Sequence, residues 1–183
     1  MLKSFSQFVT GLFEKKGDAH SYGCAMVYFN FPTMPELHSK IDEADIYTEE
    51  GDRSYGLEDE PHTTLLYGLH SADINDAKVL EICKSKPIGQ LTLHNASLFE
   101  NAKYDVLKFD VENPVLAEIN AELSKLPHTT DFPDYHPHAT IGYLKPGTGK
   151  KYVDLFNGNR HEVAAHKIVY SKPDDSRIEE EWN

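Results

Sequence analysis

The chain has 183 residues, 39% of them hydrophobic and 26% charged, enough for one domain or two small lobes sharing a core. Its 18 Lys and Arg against 30 Asp and Glu leave a net charge of −12, so the basic face of a protein that grips long DNA or RNA is missing. No apolar run approaches the roughly 20 residues of a membrane-spanning helix. Residues 1–18 mix Phe and Leu with polar residues instead of forming an export signal, and a cytoplasmic protein is expected. The two cysteines, Cys24 and Cys83, fall in apolar segments and read as buried, reduced thiols.

In chain order, Phe5, Phe8, Val9, Leu12 and Phe13 form one stripe of a helix over about 4–16. Residues 22–31 are apolar, aromatic-rich and bounded by Gly and Pro, which predicts a buried strand. Thr33 is placed to cap a short helix from about Pro35. A strand is expected at 45–48, an acidic exposed loop at 49–60 and a strand at 62–69. A helix at 73–85 has Asp73 as its candidate cap. Segments 88–98 and 103–111 alternate around a turn at 100–102 and predict a hairpin. Asn113-Pro114 opens a helix with Val115, Leu116, Ile119, Leu123 and Leu126 on one face. A Pro/His/Asp loop at 127–136, a strand at 138–144, a helix near 150–156 and a strand near 162–171 follow. The charged tail, 172–183, is expected to fray. This order predicts an α+β fold, with mostly antiparallel strands, helices outside, and two similar halves within a single domain.

Similar halves invite a search for a repeat, and one is present. Pro61-His62-Thr63-Thr64-Leu65-Leu66-Tyr67 and Pro137-His138-Ala139-Thr140-Ile141-Gly142-Tyr143 align without a gap, with Pro, His, Thr and Tyr identical. His-x-Thr alone is weak evidence, since ten His and ten Thr produce about half an occurrence by chance. A third copy, Pro127-His128-Thr129-Thr130, runs into Asp131-Phe132-Pro133-Asp134 instead of an apolar strand and reads as a loop decoy.

Residues i and i+2 of a strand share a face, so His62 stands beside Thr64 and His138 beside Thr140. The same alternation turns Tyr67 and Tyr143 to the core and Gly142 to the site, where its missing side chain leaves room for a ligand. If the halves are related by a two-fold axis, both pairs meet across one cleft. Two imidazoles suit phosphoryl transfer, one taking a proton from the attacking hydroxyl while the other donates to the leaving oxygen. The threonine hydroxyls can donate to the non-bridging oxygens. This chemistry requires no metal or other cofactor.

These residues resemble the two-histidine (2H) phosphoesterase superfamily. The resemblance implies a bilobal, pseudo-two-fold α+β fold and metal-independent cleavage of phosphodiesters that neighbour a ribose hydroxyl. It also implies that His62, Thr64, His138 and Thr140 are catalytic. The RNA-ligase-like branch often carries an Arg soon after the second motif, where this chain has Gly142-Tyr143-Leu144. His-x-Thr-Leu-Leu-Tyr-Gly (62–68) with His-x-Thr-Ile-Gly-Tyr-Leu (138–144) is most similar to the phage anti-CBASS phosphodiesterases. That likeness implies cleavage of 3′-5′ bonds in cyclic di- and trinucleotide immune messengers by the ribose 2′-hydroxyl, counteracting CBASS antiphage defence.

A nucleotide enzyme needs flat surfaces for bases, and Tyr22 and Trp182 are the candidates, Trp182 as a lid over the cleft. The expected partner is a small cyclic oligonucleotide and the expected state a monomer, with no long nucleic acid or membrane. Three alternatives remain open at this stage. One is an RNA enzyme acting on 2′,3′-cyclic ends or 2′-5′ linkages. Another is a module that sequesters a nucleotide without cleaving it. The last is a metal-dependent hydrolase using His136 and His138 with His62 or His70.

Overall fold

Seven successive buried residues, Gly23 to Phe29, begin strand β1 (Gly23–Asn30), which is covered on both faces and lies inside the sheet. The computed structural model describes residues 22–52, 54–132 and 134–182, and the helix expected over 4–16 lies outside them. After β1 come α1 (Met34–His38), β2 (His62–Leu69), α2 (Asp76–Cys83), β3 (Gln90–Glu100), β4 (Asp105–Glu112), α3 (Pro114–Leu123), β5 (His138–Leu144), α4 (Lys150–Phe156), β6 (His161–Ser171) and β7 (Arg177–Glu181). The fold is α+β with an antiparallel sheet, as the element pattern predicts.

The sheet order is β2-β1-β6-β3-β4-β5, with β7 added beside β6. Exchanging β1-α1-β2-α2-β3 with β4-α3-β5-α4-β6 reproduces that order backwards, so the chain is a structural duplication about an axis between β6 and β3. Strand twist and bulges curl the sheet until its outer strands, β2 and β5, pack near each other. Leu116, Ile119 and Leu123 of α3, Val79, Leu80 and Cys83 of α2, and Tyr152 and Phe156 of α4 bury themselves against one side of the sheet. Each large side chain so buried stabilises the fold by roughly 1.5–3 kcal/mol. Cys24 and Cys83 are buried free thiols, both pushed up to about 12, chiefly by burial. Among the described residues no helix is long and apolar enough to cross a membrane.

Four local expectations are corrected. Residues 45–48 form no strand: a single turn at 43–45, closed by the Asp42 side chain, leaves only one bridge, from Ile46 to Leu144. Thr33 makes no side-chain cap, and its hydroxyl lies 3.4 Å from His161 Nδ1 instead. The cap of α2 is Asn75, which accepts from the Ala77 N–H, because Asp73 is taken up in a separate turn at 71–73. The tail does not fray over its whole length. β3 pairs with β6 only at residues 161–164, and β7 takes up the exposed edge at Lys167–Ser171.

Candidate active site

Strand β2 carries His62 and Thr64 opposite Tyr28 and Met26 of β1, and β5 carries His138 and Thr140 opposite Asp110 and Lys108 of β4. The next residue in each motif strand is skipped by its ladder. Leu65 has no partner between Met26↔Thr64 and Ala25↔Leu66, and Ile141 has none between Lys108↔Thr140 and Leu107↔Gly142. A bulge at the fifth position of both heptads therefore reverses the alternation that follows.

The reversal corrects the expected side-chain directions. Tyr67 packs with Cys24, Met26 and Tyr28, and Tyr143 with Val106 and Tyr104. Both tyrosines are buried, but on the histidine side of the sheet. Gly142 correspondingly leaves the cleft face. A Cβ there would stand 2.9 Å from Leu57 and 3.2 Å from the Gly56 carbonyl, so the missing side chain admits a crossing loop and leaves no ligand space.

Each bulge carbonyl is held by the other half. Asn120 of α3 donates to Leu65 O at 2.7 Å, and His38 Nε2 of α1 donates to Ile141 O at 3.0 Å. Tyr135 adds a bond to Thr64 O at 2.8 Å. The two motif strands are thus fastened by side chains arriving from across the pseudo-two-fold axis.

Both histidines are pinned alike. His62 Nδ1–H donates to Glu60 O at 2.8 Å and His138 Nδ1–H to His136 O at 3.1 Å, each two residues upstream. A carbonyl can only accept, so the proton of the neutral ring is fixed on Nδ1 and Nε2 is the basic atom. His62 stacks on Tyr28 at 5.0 Å, and His138 meets Phe99 edge-on at 5.0 Å. The two motifs meet: Thr64 of one and His138 of the other line the same cavity, and the charge of His62 is felt at His138.

The halves differ in charge. Lys108, with a side chain 9% exposed, stands opposite Thr140, 2.8 Å from Asp110 Oδ1 and 4.7 Å over the Phe99 ring. Burial, then Lys108 and His62, press His138 down to about 4. Burial works against the charged Asp110, but hydrogen bonds from Lys108 and Asn95 hold its carboxyl below the ordinary range. On the other side Lys167 lies 5.0 Å over Tyr28, and Arg177 of β7 reaches Glu60 at 3.5 Å. An acidic protein has gathered cations around both histidine platforms.

Of the four motif residues, Thr64 and His138 line this hollow, His62 acts on His138 electrostatically, and Thr140 shares the strand face of His138, whereas Trp182 stands apart from it. Tyr22 is on the same side of the sheet, stacked on His70 at 5.4 Å and edge-on to Tyr67, a residue of the cavity wall, at 6.1 Å. Trp182 packs against the main core, on the opposite side, because residues after Arg177 alternate along β7. Sequence reasoning missed Lys108, Asp110 and Arg177. The available signal was the pair of charges at i and i+2 in the apolar run Val106-Leu107-Lys108-Phe109-Asp110-Val111. The loop copy His128-Thr129-Thr130 lies off the sheet strands as expected, yet His128 and Thr130 line the cavity beside Thr64. Among the described residues no group of three His, Cys, Asp or Glu side chains is assembled to hold a metal ion.

No protein-family model matches the chain, and no curated protein sequence matches it. Its fold is similar to that of Usb1 from Kluyveromyces marxianus, solved with uridine monophosphate. The two superpose with a TM-score of 0.56 over 88% of this chain and 98% of the other, at 11% sequence identity. That likeness is one of fold.

Proposed function

We propose that the protein is a 2H-type phosphodiesterase that cleaves nucleotide 3′-5′ bonds through the neighbouring ribose 2′-hydroxyl, with small cyclic oligonucleotides as substrates. The observation that carries this reading is the matched pair of imidazoles, each with Nδ1 tied to the carbonyl two residues upstream, with His138 lining one hollow beside Thr64 and lying within electrostatic reach of His62. His138 is held neutral, so its Nε2 takes the proton of the attacking 2′-hydroxyl. The acid role then falls to His62, which protonates the departing 5′-oxygen. The new O–P bond and the broken one leave a 2′,3′-cyclic phosphate and a free 5′-hydroxyl. Thr64 and Thr140 donate to the non-bridging oxygens, and the Lys108 ammonium offsets the charge that builds there. The chemistry as written needs no metal.

A small cyclic substrate agrees with the −12 charge, because a few local cations suffice where no polyanion has to be tracked. A second reading, an RNA phosphodiesterase acting on 2′,3′-cyclic or 2′-5′ ends, is favoured by the fold likeness to a protein solved with uridine monophosphate. Product analysis decides between them. Purified protein is offered cyclic dinucleotides, cyclic trinucleotides and short RNAs with these ends, with and without chelator. Turnover of the cyclic messengers that persists in chelator and is lost in His62→Ala and His138→Ala supports the proposal. Cleavage of the RNAs alone establishes the second reading. Tight binding with every substrate intact would leave a sequestering module and refute both.

A further inference from the structure

We propose that the cavity between β2, α3 and the 128–136 loop is a subsite for one nucleobase carrying an exocyclic amino group. The inference rests on the phosphodiesterase reading of the same hollow and specifies what the substrate places beside the reacting phosphorus.

Size and position come first. The cavity holds about 320 Å³, within the range of small-molecule sites, about 300–1,000 Å³, and far beyond an ordinary packing void. It takes Thr64 from one motif and His138 from the other as part of its wall, so its occupant is contiguous with any phosphate held there. The duplication shows that the space is specific to one side. At the equivalent place on β5, Leu57 closes against Gly142, while Tyr47 and Tyr55 pack on the Tyr104–Tyr143 pair. The space beside the bulge is filled on β5 and left open on β2.

The walls select the occupant. Phe132 and Tyr67 supply flat faces, and a base has two π-faces to stack on them. A peptide strand adding to the β2 edge is disfavoured, because the edge carbonyls are already satisfied. Asn120 takes Leu65 O, Tyr135 takes Thr64 O, and the Thr129 N–H takes Gly68 O. The polar capacity left in the wall is rich in acceptors. Asn120 uses one of its two amide N–H donors on Leu65 O and keeps its Oδ1 acceptor, His128 has its Nδ1–H on Leu126 O and keeps Nε2 as an acceptor, and Asp134 brings a carboxylate. Adenine, cytosine and guanine each offer an exocyclic N–H₂, and uracil offers none.

Calorimetry with 3′-mononucleotides tests this without turnover, since they contain no diester to cleave. The ligands are adenosine, guanosine, cytidine and uridine 3′-monophosphates and abasic ribose 3′-phosphate. At least one amino-bearing nucleotide is expected to bind about tenfold tighter than uridine or the abasic compound. Ser124→Phe, which fills the cavity, and Phe132→Ala, which removes a wall, are each expected to erase that preference. Phe132 is a half-buried loop residue, so its variant reads the site even if Ser124→Phe does not fold. Equal binding of all five ligands, uridine matching the tightest, or a preference surviving Phe132→Ala would overturn the subsite. Loss of the phosphodiesterase reading shows separately, as absent cleavage of diesters by a protein that keeps its base preference.

Discussion

Lys108 stands directly opposite Thr140 across the β4–β5 ladder, at the place Met26 occupies opposite Thr64 across β1–β2. The duplication is symmetric in backbone and asymmetric in charge, and the Lys108 ammonium adds to burial in keeping His138 neutral.

Lys108→Met therefore writes the first half's residue into the second. Loss of a charge-stabilising group beside the phosphate is expected to lower kcat about 10²-fold while KM stays within a few-fold. Removing the cation also relieves the pressure on the His138 proton, so the acid limb of the kcat–pH profile moves to higher pH. A profile that keeps its shape while the rate falls would show that Lys108 acts on packing alone.

Stability carries the same signature. His138 lies below its ordinary value of 6.5, at about 4, so between those limits the unfolded chain binds a proton that the folded one does not. Stability accordingly falls as pH drops from about 6.5 and levels off below about 4. The contribution is about 2 kcal/mol once the solvent-facing part of the ring is allowed for. Burial shifts His38 and His161 in the same direction, so the measurable quantity is the difference from His138→Asn. Urea titrations at pH 4.5 and pH 7 should show a smaller stability gap in that variant.

The two bulges are held reciprocally, and removing either clamp should be felt at the opposite motif. Asn120→Ala frees Leu65 O beside Thr64, and His38→Ala frees one of the bonds to Ile141 O beside Thr140. Each is expected to cost about 1 kcal/mol in denaturant unfolding. The His38 loss should be the smaller, because Ile141 O keeps the Glu58 N–H at 3.0 Å. Both variants should lower kcat more than they raise KM, since the threonines lose position.

Gly68 has φ of +103°, and a Cβ there would lie 1.9 Å from Thr129 O, a backbone atom that cannot yield cheaply. Gly68→Ala should destabilise the fold by about 2–4 kcal/mol and dislodge the 128–136 loop from β2. Thermal unfolding, with amide exchange on Thr129, whose N–H bonds to Gly68 O at 2.9 Å, checks both effects.

Much of this arrangement is legible in the chain itself. The two Pro-His-x-Thr heptads, their apolar flanks and the Asn113-Pro114 cap are short-range patterns. They placed β2, β5 and α3 at the residues observed and paired each histidine with its threonine. Alternation can be read from sequence because i and i+2 share a face by local stereochemistry alone. It held as far as Thr64 and Thr140 and failed after them. The bulges at Leu65 and Ile141 are properties of a ladder with a strand elsewhere in the chain, and they sent Tyr67 and Tyr143 to the unexpected side. For the same reason the partnership of Lys108 with Thr140, the docking of Arg177–Glu181 on β6 and the placement of Trp182 against the core belong to the tertiary structure. Sequence by itself determined which residues are equipped to move a proton. Only the folded sheet decided which charges stand beside them, because neighbours across a ladder are chosen by register and curvature, which no local pattern encodes.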